Sequence, residues 1–194
     1  MNRLLLVSVA LVASAVGATT LLALDVAGLT THSDLVVRGT IVSVAPHWSG
    51  DNSRIYTDAE VQVSEVWKGP STAALIAMQP GGEIGEVGQR IHGVATFTPG
   101  EEVVLFLERR GPRYTVTGMA QGKFRIEPGE GKVIIAHTSP DADLAVLDPV
   151  THAVVAKSPV SLPLEELKAQ VKAALPKAPV EPTTPKLPAT KVAP

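Results

Sequence analysis

The chain has 194 residues, 45% of them hydrophobic, with 17 Lys and Arg against 19 Asp and Glu. That hydrophobic share excludes a chain disordered throughout, and a net charge of -2 provides no basic stripe of the kind nucleic-acid phosphates demand, so nucleic acid is not an expected partner. There is no cysteine, hence no disulfide and no lipid-attachment thiol, and the fold must hold by burial alone.

Asn2 and Arg3 precede an uncharged apolar stretch from Leu4 to Val16, and the small residues Val16 and Ala18 have the spacing a signal peptidase accepts. Residues 1–18 therefore read as a signal peptide, with the mature protein periplasmic or extracellular and without a stable membrane span. The alternative is an uncleaved anchor in the inner membrane, since the uncharged run continues to Leu24.

A short N-terminal helix is expected over Asp25–His32, with Leu24 and Leu29 facing a sheet. Asp34–Val44 and Ile55–Trp67 read as two long strands joined through a polar loop, Pro46–Arg54. In the second, Thr57, Ala59, Val61 and Val63 alternate with Asp58, Glu60, Gln62 and Ser64, giving one dry face and one wet face. Ala73–Gln79 is a third strand, after which Pro80-Gly81-Gly82 opens a glycine-punctuated loop to about Arg90, and Ile91–Phe97 returns to strand. Val103–Leu107 is apolar on both faces, as expected for a central strand buried on two sides. Tyr114–Ala120, Gly122–Glu127 and Lys132–His137 follow as strands separated by turns, and 139–156 as extended segments with irregular links.

A C-terminal helix spans 161–175, with Ser161 as its N-cap, Pro163 in the first turn, Glu165 and Glu166 at its positive end, and Leu164, Leu167, Val171 and Leu175 on one face. Residues 176–194, rich in Pro, Lys, Ala and Thr, read as a disordered tail. The expected architecture is mainly β: a small antiparallel barrel over 24–156 with a short N-terminal and one C-terminal helix, a sandwich being the alternative.

The residues that carry chemistry are sparse. The histidines at 32, 47, 92, 137 and 152 lack the spacing of a zinc helix or a strand pair, and Asp141 and Asp143 lack the glycine and distal glutamate of a calcium loop. No Gly-Lys-Ser/Thr follows the glycines at 81, 82, 85 and 88, and Glu83 and Glu86 would repel an anion there. No nucleophile elbow is present, and the pairs Glu101-Glu102 and Glu165-Glu166 sit where solvated charge is expected. No catalytic residue, cofactor or metal is implied.

Trp67 and Phe106 are expected in the core with Tyr114 and Phe124 near it, whereas Trp48 lies in a polar loop, either as a contact anchor or as a cap on an open barrel end. The expected contact surface is formed by Trp48 together with Gly81, Gly82, Glu83, Glu86 and Arg90, because binding on a rigid sheet resides in its loops.

The frame Asp34-Leu35-Val36-Val37-Arg38-Gly39-Thr40, then Val63-x-Glu65-Val66-Trp67-Lys68-Gly69, Gly81-Gly82, Pro99 to Leu107, and Gly118-x-Ala120-Gln121-Gly122-Lys123-Phe124 resembles a family of exported bacterial β-barrel proteins with no assigned activity. The first two motifs are also similar to the opening strands of oligonucleotide-binding-type barrels and of the netrin-like modules in tissue inhibitors of metalloproteases. Those inhibitors use an N-terminal cysteine and disulfides, which this chain lacks, so the resemblance implies the barrel alone. The function expected is a non-catalytic exported module that binds a protein or cell-envelope component. The alternatives are a modulator of an exported protease, or an enzyme that brings dispersed His and carboxylate residues together.

Overall fold

A computed structural model describes residues 20–131, 133–138, 145–148, 150–155 and 160–176. The signal-peptide reading of 1–18, Asp141, Asp143 and the tail from 177 lie outside them. Among the described residues the fold is mainly β, 50% strand and 16% helix, with two helices and a large mixed sheet.

In chain order, β1 (Thr20–Leu22) leads to α1 (Val26–His32), then β2 (Leu35–Trp48), β3 (Ile55–Lys68), β4 (Ala74–Pro80), β5 (Gly82–Ile84) and β6 (Val87–Gln89). Then come β7 (Glu102–Arg110), β8 (Arg113–Val116), a 3-10 turn (Met119–Gly122), β9 (Lys123–Pro128) and β10 (Ile134–His137). The last elements are β11 (Ala145–Leu147), β12 (Val154–Val155), β13 (Ser161–Pro163) and α2 (Leu164–Ala174). The eight-stranded sheet runs β13-β10-β9-β7-β2-β3-β4-β8, and β7 pairs with β8 as well. A wholly antiparallel sheet was expected, but β8 meets β4 in parallel, at the single pairing Ala77↔Tyr114.

The long pair β2 and β3 stays in antiparallel contact from Val36↔Lys68 to Trp48↔Ile55. Trp48 is therefore the last residue of β2 and not part of a loop. The connection is shorter than expected because Asp51 organises it: its Oδ1 accepts from Ser49 Oγ at 2.6 Å and from Ser53 N at 3.1 Å. Hydrogen bonds from Ser49 and Ser53 hold that carboxyl down at about 2.

Alternation along β7 splits its side chains between two cores. Val103, Leu105 and Leu107 pack with Leu35, Val37, Ala59, Val61 and Ala77 on one side of the sheet. Val104 and Phe106 pack on the other with Trp67, Phe124, α1 and α2. The strand is buried on both faces, as its unbroken apolar run implies.

Helix α1 starts at Asp25, whose Oδ1 accepts from Gly28 N at 2.6 Å, and it buries Val26 and Leu29 with Leu24 packed alongside. Helix α2 buries Leu164, Leu167 and Val171. Ser161 is not its N-cap: it pairs with His137 in β13, and the sheet's backbone hydrogen bonds draw the helix start forward to Pro163 and Leu164.

Glu65 fixes α2 to β3. Its carboxylate pairs with Lys168 of α2, accepts from Arg38 Nη1 at 3.1 Å and from Trp67 Nε1 at 3.1 Å, while the Lys168 ammonium lies 5.7 Å from the centre of the Trp67 ring. These donors, Lys168 foremost, hold the Glu65 carboxyl down at about 2.

Three further segments depart from expectation. The first, Ile91–Phe97, enters no strand. Gly93 breaks its course at φ 82, and its carbonyls are satisfied outside any ladder, that of Gly93 by Ala120 N at 2.8 Å and that of Thr96 by the Lys123 ammonium. The segment instead lies over the inner core, with Ala95 buried and Phe97 packed against it. The strand expected over Tyr114–Ala120 ends at Val116, because Gly118 and Met119 are both left-handed, at φ 63 and 61. The segment expected as a loop from Gly81 to Arg90 contains the hairpin β5–β6, paired from Gly82↔Gln89 to Ile84↔Val87.

Candidate functional site: a groove beneath the β5–β6 hairpin

Thr57 and Gln79 face each other across β3 and β4, two residues beyond the Ala59↔Ala77 pair, and so share the inward side of the sheet. The chain then turns sharply. Gly81 N donates to Ile55 O at 2.8 Å, Thr57 Oγ1 donates to Gly81 O at 2.7 Å, and Ile55 N donates to Gln89 Oε1 at 2.7 Å, pinning the hairpin to the start of β3.

Both glycines at the turn are required. Gly81 has φ 97, and a Cβ there would lie 2.7 Å from Gln89 O; Gly82 has φ 143, and its Cβ would lie 2.5 Å from Thr57 Oγ1. Gly81 meets backbone and Gly82 meets side chains, and neither position has room for a Cβ.

Between this hairpin and the Ile91–Phe97 segment lies an open groove of about 500 Å³. Val44, Ile91, Ala95 and Phe97 give it apolar walls, Thr57 and Gln79 contribute polar groups, and Glu83 and Arg90 stand exposed among its lining residues. Gln79 is 6% exposed, and its Nε2 has no hydrogen-bond partner.

Of the residues expected to make contacts, Gly81, Gly82, Glu83 and Arg90 line this groove. Glu86 sits in the hairpin turn and Trp48, 37% exposed, at the end of β2; neither is a lining residue. Gln79, Val44 and Phe97 were missed. The available signal was parity: Leu75, Ala77 and Gln79 alternate along β4, and only the last is polar.

Two other polar clusters have a chemical look. His47 Nε2 lies 3.4 Å from Asp58 Oδ1, and the other Asp58 oxygen accepts from Arg113 Nε at 2.9 Å. This group ties β8 to β3 across β4, where the ladder itself supplies one pairing.

Glu101, 5% exposed at its side chain, accepts from Lys123 Nζ at 2.7 Å and Arg125 Nε at 2.8 Å beside His137, in a hollow of about 50 Å³. Burial alone would push the Glu101 carboxyl up, but the bonds from Lys123 and Arg125 outweigh it and hold the group below the usual carboxylate range. Burial pulls the Lys123 ammonium down, Glu101 opposing it in part. With both of its carboxylate oxygens engaged by cations, Glu101 is held as the anion of an ion-pair cluster. Among the described residues, no group of three His, Cys, Asp or Glu is placed to hold a metal ion.

No protein-family model matches the chain, and no curated protein matches it significantly.

Proposed function

We propose that the protein is a non-catalytic exported binding module, and that it engages a protein or cell-envelope partner at the end of the sheet formed by the β5–β6 hairpin and the groove beneath it. The observation that carries this reading is the open groove of about 500 Å³, within the volume range of about 300–1,000 Å³ typical of ligand sites. Four of the residues expected to make contacts line it.

The order β2-β3-β4-β8-β7, with β7 pairing back onto β2, supports a small barrel of oligonucleotide-binding type, with the groove at its mouth. Acidic Asp58 and Glu60 on the outward side of β3 fit a protein-binding use of such a barrel better than a phosphate-binding one. Export is part of the same reading and rests on the apolar stretch Leu4–Val16.

The test replaces residues 83–88 with a two-residue turn and compares capture from culture fluid and envelope extracts with that by the parent protein. Circular dichroism checks the fold, and mass spectrometry identifies what is held. A partner retained by the parent and lost by the variant supports the proposal. Equal capture by both overturns it.

A further inference from the structure

We propose that the chain is cut by a signal peptidase between Ala18 and Thr19, and that the cut is what lets β1 enter the fold. This deepens the export part of the proposed function and rests on it.

The uncharged apolar run extends from Leu4 to Leu24, between Arg3 and Asp25, and its 21 residues are enough to span a bilayer. The folded domain claims the last five of them. Strand β1 pairs in parallel with β11 from Thr20↔Ala145 to Leu22↔Leu147, and Ala23 N donates to Leu147 O at 2.7 Å. Gln121 then clasps the chain from the 3-10 turn: its Oε1 accepts from Leu24 N at 2.9 Å, and its Nε2 donates to Leu22 O at 3.0 Å. The Leu24 side chain packs against the core that holds Val26 and Leu29 of α1. A membrane-spanning helix would direct these same backbone groups to partners four residues away, so the two uses exclude each other.

What the fold leaves is Leu4 to Thr19, 16 residues. As a helix they reach about 24 Å, against a hydrocarbon core of about 30 Å and about 5 Å more of headgroups before water. An anchor on this chain must therefore unpair β1 or draw it, with β11, into the headgroup layer. Asp25 and Asp148 oppose the second course. The first caps α1 directly behind β1, the second holds the turn after β11 by accepting from Val150 N and Thr151 N, and anionic lipid would repel both.

Cleavage removes the conflict. Water adds across the amide and the bond from the Ala18 carbonyl carbon to the Thr19 nitrogen breaks. Ala18 takes the hydroxyl and becomes a carboxyl terminus, while the nitrogen takes the proton and leaves Thr19 as a free amine one residue ahead of β1.

The experiment expresses the full chain in a bacterium, separates membrane-held from released protein and reads the first residue by intact-mass spectrometry. Amide hydrogen exchange is followed at Ala23 and Leu24. Two variants accompany the parent: Ala18→Phe, which blocks the cut, and Ala18→Phe with six further apolar residues inserted before Thr19. The parent is expected to be released with Thr19 first and both amides protected. Ala18→Phe should stay in the membrane and exchange at those amides faster by about tenfold or more, and the longer variant should stay there and recover protection.

A parent held in the membrane with Met1 intact, a released parent that starts anywhere but Thr19, equal protection in the parent and Ala18→Phe, or a longer variant no better protected than Ala18→Phe each overturns the inference. Met1 retained in the cytoplasm overturns export as well. If Thr19 leads the released chain while hairpin replacement leaves partner capture unchanged, the processing stands and the binding function falls. If capture depends on the hairpin while the parent keeps Met1 in the membrane, the processing falls alone.

Discussion

Gln79→Met should make the protein more stable, which is unusual for a substitution in a close-packed interior. The native side chain is 6% exposed, and its Nε2 lacks a partner, so the folded state carries a desolvated amide that water satisfies in the unfolded chain. Leaving such a group unmet costs about 1–3 kcal/mol, and methionine keeps the length and unbranched shape of the side chain while removing the polar atoms. A gain of about 1–2 kcal/mol is expected once imperfect repacking is allowed for, which for a domain of this size corresponds to a rise in Tm of roughly 3–6 °C. Urea unfolding measures it directly, with a higher midpoint at unchanged m showing that native stability has moved and not the compactness of either state. Gln79→Ala provides the opposite control, because it removes the same amide but leaves a void at a buried position. If Gln79→Met loses about 1 kcal/mol or more, the amide is already satisfied in the folded protein.

Three other substitutions examine the frame of the fold. Trp67→Ala should cost about 3–5 kcal/mol by equilibrium unfolding, because the indole is 7% exposed between β3 and α2; an unchanged Tm would contradict that burial. Glu65 has a folded-state carboxyl held at about 2 against an ordinary 4.5, so its contribution is fully present above about pH 4.5 and is lost as pH falls towards 2. Urea midpoints between pH 2 and 5 should therefore decline less steeply in Glu65→Gln than in the parent, with a parallel decline removing the Lys168 and Trp67 contacts from the account. Glu101→Ala should cost about 3–5 kcal/mol, since it leaves the Lys123 ammonium, 11% exposed at its side chain, without its carboxylate, and adding Lys123→Met should recover part of the loss. Absence of any recovery in that double variant would show that the pair is not coupled.

The strands were legible where side-chain alternation is decided by burial on one face or two. Thr57, Ala59 and Val61 proved to lie on the inner side of β3, and the unbroken run Val103–Leu107 proved to separate two cores, because a strand lying between two cores has no polar face to show. Where local pattern competes with tertiary demand, the pattern misled. Ile91–Phe97 alternates well enough for a strand, yet its hydrocarbon is used to cover the sheet and its carbonyls are taken by Ala120 and Lys123. Ser161 has the chemistry of an N-cap, yet pairing with β10 claims its backbone first.

The site was half legible, and the half that was missed shows why. Glycines at 81 and 82 announce a turn whatever surrounds them, because left-handed φ and the close approach of Gln89 and Thr57 are local requirements. Gln79 makes no such announcement: at the end of a strand a glutamine reads as solvent-facing, and only its parity with Leu75 and Ala77 turns it inward. A polar residue at an inward position is costly unless something meets it, so the departure from an otherwise consistent pattern is informative in itself. That the three lie on one side of β4 and face Val61, Ala59 and Thr57 in register places Gln79 at an inward position, the polar exception to an apolar series.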